Sequence, residues 1–163
     1  MTRRASAIQQ EIRQTRPFQS IGQEAVVALF RTADLVRRYY GEVVEREGVT
    51  LQQYNVLRIL RGAGPSGLPT LEVAERMVQR APGITRMIDR LEVRGWVHRR
   101  RTSADRRQIH CVITAEGLAL MKRLDEPVDA ADHTAVRGLA KRDQQRLIGL
   151  LDAVRAAHAD RDS

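Results

Sequence analysis

A chain of 163 residues has the size of one domain or of two small lobes sharing a core, and its 42% hydrophobic content excludes wholesale disorder. No apolar run approaches the roughly 18 residues that span a bilayer, no apolar stretch follows the basic start as a secretory signal requires, and a single cysteine, Cys111, excludes a disulfide framework and a multi-cysteine zinc site. The formal charge of +8 is uneven: residues 80–110 hold nine arginines against three acids and residues 1–16 four against one, whereas residues 17–79 balance and residues 111–163 carry eight basic against nine acidic groups.

From Ile21 to about Glu47, the residues Ile21, Ala25, Ala28, Leu29, Thr32, Leu35 and Val36 recur at three- and four-residue steps, which predicts a long amphipathic helix. Gly48 ends it, and Thr50 caps a second helix running to about Arg61 with Tyr54, Leu57, Ile59 and Leu60 as its apolar positions. Gly62-Ala-Gly-Pro-Ser-Gly is the clearest loop. Thr70 is expected to cap a short helix from Leu71 to about Met77. A further helix is expected from Pro82 to about Arg94, because a proline suits a first turn where its missing N–H would have no partner. Ile84, Ile88 and Leu91 form its inner stripe, which leaves Thr85, Arg86, Asp89 and Arg90 towards solvent, and Gly95 closes it.

The texture then changes. Trp96–Arg99 and Gln108–Ile113 alternate with period two around a charged tip, the pattern of a β-hairpin. Thr114 caps a helix through about Leu124, Pro127 interrupts or re-caps it, and a last amphipathic helix runs from about Leu139 to Ala157 with Leu147, Leu150, Leu151 and Val154 inside. The expected fold class is mainly α, an α+β winged helix of six helices with a two- or three-stranded β-wing.

Two short helices followed by a basic hairpin make a winged helix-turn-helix, whose second helix suits the DNA major groove. The charge agrees, since the arginine-rich block covers the recognition helix and the wing. A polyanion partner, double-stranded DNA, is therefore expected. Phosphate contacts are expected from Arg99, Arg100, Arg101, Arg106 and Arg107, and base contacts from Gly83, Thr85, Arg86 and Arg90. For Arg90 and Arg94 a salt bridge with Glu92 or Asp89 competes with a DNA role. Arg3, Arg4, Arg13 and Arg16 either touch DNA or belong to a disordered tail, with disorder favoured.

These stretches, taken in order, resemble the MarR (multiple antibiotic resistance) family of regulators. The run from Leu51 to Leu60 is similar to the family's second helix, and Leu71-Glu-Val-Ala-Glu-Arg-Met to the helix before the recognition helix. The run from Ile84 to Arg99 is similar to the recognition helix and first wing strand, and Asp105-Arg-Arg followed by Ile113-Thr-Ala-Glu-Gly to the Asp-x-Arg wing signature and the start of the fifth helix. Each stretch alone is weak; their order and spacing over about residues 20–155 are specific.

The resemblance implies a homodimer joined through its N- and C-terminal helices on a palindromic operator. It implies a basic tail over 1–19, a dimerisation helix over 20–49, a DNA-binding lobe over 50–125 and C-terminal dimerisation helices over 126–163. It also implies a ligand-responsive repressor. The family's small-molecule effectors, often aromatic or phenolic anions, bind in a crevice between the dimerisation region and the DNA-binding lobe. Asp105 is implied to pair with Arg107 and set the wing, with Arg107 in the minor groove and Asp105 counted with the DNA-binding residues. Arg16, Tyr39, Tyr40 and Tyr54 lie on or beside the first two helices and are candidates for lining the crevice, although ordinary packing explains them as well. The sequence departs from the pattern at Val78-Gln-Arg-Ala, which lacks the usual Gly and Ser or Thr, and at Pro82-Gly83, which replaces a polar pair and leaves the cap of the recognition helix open.

Other chemistries carry weaker signals. Cys111 alternates with Ile109 and Ile113 on the expected inner strand face, so a core thiol is favoured over a redox switch. Asp129, Asp132 and His133 form a small cluster without a second His or a Cys in register, so no metal is expected. Trp96 is expected to pack on the lobe's core. There is no Gly-rich phosphate loop, no Gly-x-Ser-x-Gly and no nucleophile–base pair, so neither an enzyme nor a cofactor is expected. No membrane partner and a cytoplasmic location are expected. Two competing functions remain: a sequence-independent architectural DNA protein using the same arginines, and a winged-helix protein–protein module that no longer binds DNA.

Overall fold

A computed structural model describes residues 6–79, 82–101 and 109–158. Its helices are α1 (Ala7–Glu11), α2 (Ile21–Glu45), α3 (Leu51–Ala63), α4 (Thr70–Glu75), α5 (Ile84–Val93), α6 (Ala115–Val136) and α7 (Lys141–Ala156), and its strands are β1 (Leu68–Pro69), β2 (Val97–Arg101) and β3 (Ile109–Ile113). The strands form one antiparallel sheet in the order β1-β3-β2, with Leu68 opposite Cys111 and Val97 opposite Ile113. The segment read as a tail holds α1, capped by Ser6 and tied to α2 by an Arg31–Glu11 ion pair of 2.7 Å.

Local chemistry explains most boundaries. Thr50 Oγ1 accepts the Gln53 N–H and Gln53 Oε1 accepts the Thr50 N–H, a full capping box for α3. Thr114 Oγ1 accepts the Gly117 N–H and starts α6. Gly48 and Gly95 both have positive φ after α2 and α5, as helix-ending glycines should. The core gathers Val44, Val56, Leu57 and Leu60 from α2 and α3, Val73 from α4, Ile88 and Leu91 from α5, Val97 and Cys111 from the wing, and Leu120, Met121 and Leu124 from α6. Cys111 is fully buried, with the Thr70 hydroxyl 3.6 Å from its sulfur, and Trp96 packs against this core under the Arg94 guanidinium.

Four expectations are corrected. Thr70 lies inside α4 and caps nothing; Pro69 precedes the helix, and the Thr70 hydroxyl turns to Cys111. Pro82 is not in the first turn of α5, which begins at Ile84 after Gly83 adopts φ +85, a left-handed conformation that halts any helix entering from Pro82. Pro127 neither stops nor restarts α6, which is continuous to Val136. An interior proline costs a helix about 3 kcal/mol, but Leu120, Met121, Leu124 and Ala131 keep one buried stripe on both sides of it, with Val128 packed against the core. Finally, Leu147, Leu150 and Val154 are exposed, and α7 buries no residue within the chain. The periodicity gives their shared face correctly, but that face is turned away from the lobe.

Candidate nucleic-acid interface

The recognition helix is held from behind and open in front. Ile88 and Leu91 anchor α5 in the core, so the 3.6-residue period puts Thr85, Arg86, Asp89 and Arg90 on the exposed side. The connection from α4 is fixed by Asn55, a mostly buried side chain of α3 whose Oδ1 accepts the Val78 N–H at 2.9 Å. Sequence reasoning gave Asn55 no role; the signal was an amide set between the apolar neighbours Tyr54 and Val56. Gly83, expected as a base contact, is the N-cap residue of α5 and shapes the approach to it through its left-handed backbone, with no side chain capping the helix there.

The arginines fall into two groups. Arg86, Arg90 and Arg101 are exposed and form no ion pair among the described residues. Arg100 donates to the Pro65 carbonyl, Arg94 donates to the Gly48 carbonyl at 2.7 Å, and Arg99 is held by two carboxylates. Asp89 and Glu92, the acids expected to compete for Arg90 and Arg94, are thus engaged by Arg99. Burial works to lower the Arg99 pKa, but the hydrogen bonds and charges of Asp89 and Glu92 outweigh it and raise the pKa above the usual arginine value. Asp105, Arg106 and Arg107 lie outside the described residues, as do Arg3 and Arg4.

A cleft of about 730 Å³ opens between α2 and α5, lined by Arg37, Arg38 and Glu42 of α2, Leu51 of α3, and Arg86 and Arg90 of α5, among others. The four expected crevice residues are not brought together there. Arg16 is exposed beyond α1, its carbonyl accepting from Gln9 and Gln14. Tyr39 and Tyr40 meet edge to face at 6.4 Å, and the Tyr40 hydroxyl donates to Asp132 of α6. Tyr54 lines a separate, acidic recess with Asp125, Asp129 and Asp132. Desolvation is the first cause that raises the Tyr54 pKa, against lowering by Arg58 and Arg61.

Tyr40 therefore links α2 to α6. Its pKa is raised from 10.0, first by desolvation and then by the hydrogen bond to Asp132. Its share of stability is fully present below pH 10 and is lost as the pH rises from 10.0 towards the raised folded-state value. Tyr40→Phe is expected to cost about 1 kcal/mol at neutral pH, read by chemical denaturation, and to remove this alkaline loss.

The helix pair α4–α5 with the β2–β3 wing beside it defines a winged helix-turn-helix. The sequence profile of the MarR family matches residues 49–109. The structure of a MarR transcription factor from Planctomyces limnophilus is 39% identical, with 84% of this chain and 99% of that one covered at a TM-score of 0.63. The chain belongs to the MarR family of transcriptional regulators. The homoprotocatechuate degradative operon repressor of Escherichia coli is 27% identical over 126 residues, 77% of this chain and 84% of the relative. CouR from Rhodococcus jostii RHA1, solved with p-coumaroyl-CoA bound, is 25% identical, with 84% of this chain and 96% of that one covered at a TM-score of 0.72. These relatives are regulators, not enzymes. No helix among the described residues is long and apolar enough to cross a membrane.

Proposed function

We propose that the protein is a ligand-responsive repressor that binds a palindromic operator as a homodimer. The observation that carries this reading is the pairing of an exposed Arg86/Arg90 face on α5 with apolar faces on α2 and α7 that nothing among the described residues covers. A helix of 16 residues with no buried side chain is marginal by itself, and a second copy supplies the missing partner. Two lobes related by a twofold axis then present α5 to half-sites one helical turn apart, about 34 Å.

In this reading Arg86, Arg90 and Thr85 meet base edges in the major groove, and Arg101, Arg106 and Arg107 neutralise phosphates or enter the minor groove. Arg86→Ala is expected to cost roughly 1–3 kcal/mol of operator affinity with altered base preference, and Arg107→Ala to weaken binding across sequences and flatten the salt slope by about one unit. Titrations at several salt concentrations against selected and random duplexes read both; unchanged affinity in both variants favours the protein–protein module.

The effector belongs in the α2–α5 cleft, whose lining holds four arginines against two glutamates, Glu42 and Glu45, beside the apolar Leu51 and Met87. This lining suits a small anion with an apolar, aromatic body, in keeping with the aromatic acyl ligand of CouR. Arg86 and Arg90 serve both the cleft and the DNA face, so an anion that engages them has different affinity for the free and the bound state, as an inducer requires. Genomic footprinting with purified protein, repeated against a panel of aromatic acids, tests the whole reading. A palindromic footprint released by one of them is expected; uniform protection without sequence preference favours the architectural alternative.

A further inference from the structure

We propose that Arg99 is a positioning residue: its guanidinium clamps the wing to the recognition helix and sets the angle at which the two meet DNA, instead of contacting phosphate. The proposal rests on the DNA-binding reading above and reassigns one of its wing arginines.

Arg99 is the third residue of β2, and its side chain crosses to α5. There Nη2 donates to Asp89 Oδ1 at 2.6 Å and lies 3.5 Å from the Thr85 carbonyl oxygen, while Nη1 donates to the Glu92 carboxylate. The second oxygen of Glu92 accepts the Arg99 backbone N–H at 2.9 Å. Thr85, Asp89 and Glu92 are spaced i, i+4 and i+7, so one side chain spans two turns of α5 along a single stripe. The guanidinium is planar and its donors form a fixed fork, which makes such a doubly bonded link directional. The side chain is 24% exposed, well below the 53% of its Asp89 partner.

The charge at this corner argues the same way. One guanidinium meets two carboxylates, so the cluster is net negative inside the most basic block of the chain. Carboxylates on a DNA-facing surface repel phosphate and lower affinity. If Arg99 were a phosphate ligand, Asp89 and Glu92 would oppose it. As parts of a clamp they hold the wing at a fixed angle to α5, and Arg86, Arg90 and Arg101 are left to face the duplex.

The two roles predict opposite signs for the same substitutions. A duplex selected by the wild-type protein from a random pool serves as specific probe and poly(dI-dC) as non-specific probe. Under the clamp, Asp89→Ala with Glu92→Ala lowers specific affinity by about tenfold or more and leaves non-specific affinity unchanged or tighter, with no fall in the salt slope. Arg99→Ala gives the same collapse of the specificity ratio and adds little to the acid variants. Hydrogen exchange of the DNA-free protein shows faster exchange along residues 97–101 in both variants, which checks that the link itself is broken. Specific affinity that stays level or rises when the acids are removed overturns the proposal, as does an Arg99→Ala salt slope flatter by about one unit. A wild-type protein that selects no sequence overturns the DNA reading instead, and the role of the clamp with it.

Discussion

If the protein is the homodimer proposed above, Phe30→Glu is expected to leave it monomeric and to lower operator affinity by about 10²–10⁴-fold, the advantage of binding two linked half-sites. Phe30 is 70% exposed on α2, and Ile21 at 73% and Val26 lie on the same helix. On α7, Ile148 and Leu150 are exposed to a similar degree. Full burial of a phenylalanine contributes about 1.5–3 kcal/mol, and a twofold interface uses each position twice. The substitution removes that term and places two carboxylates in an apolar seam. Phe30 is outside the core cluster, so the winged lobe should fold as before. Sedimentation velocity reads the oligomeric state, circular dichroism the fold, and titration against the selected duplex the affinity. A Phe30→Glu protein that remains dimeric with wild-type affinity places the interface elsewhere.

The same faces show what a sequence can and cannot tell. The stripe of α2 and the Leu147, Leu150, Leu151, Val154 stripe of α7 were legible as apolar periodicity, because spacing is a property of one helix. Whether such a stripe turns to its own chain or to another copy depends on geometry that spacing does not encode, which is why α7 was read as facing inward. The lobe was more legible. Thr50 and Thr114 cap through residues three positions away, and Ile84, Ile88 and Leu91 define the back of α5. Long-range partners account for the misreadings: Pro127 is tolerated because α6 is packed on both sides of it, and Arg99 is held by acids 7 and 10 positions away across a turn. Composition alone made Arg99 one more basic residue.

Gly117→Ala is expected to destabilise the chain by about 1–3 kcal/mol, although alanine is the better helix former by about 1 kcal/mol. An added Cβ at Gly117 would lie 2.3 Å from the Trp96 carbonyl oxygen and 2.7 Å from Ile113 Cγ1. The first is backbone and cannot rotate away. The first turn of α6 must therefore move off the root of the wing, and that root is bonded to it closely: the Thr114 N–H donates to the Trp96 carbonyl at 3.0 Å and its hydroxyl to the Gly95 carbonyl at 2.7 Å. Losing this seat loosens β2, so operator affinity should fall with stability. Gly62→Ala is the control, a helical glycine of α3 whose new methyl group would meet nothing within 4 Å beyond its chain neighbours and its own helix backbone. There the entropic gain stands alone, and about 0.5–1 kcal/mol of added stability is expected. Thermal and urea unfolding of the two variants should therefore move in opposite directions from the wild type. If Gly117→Ala unfolds at or above the wild-type midpoint, the close approach of α6 to Trp96 does not constrain the wing.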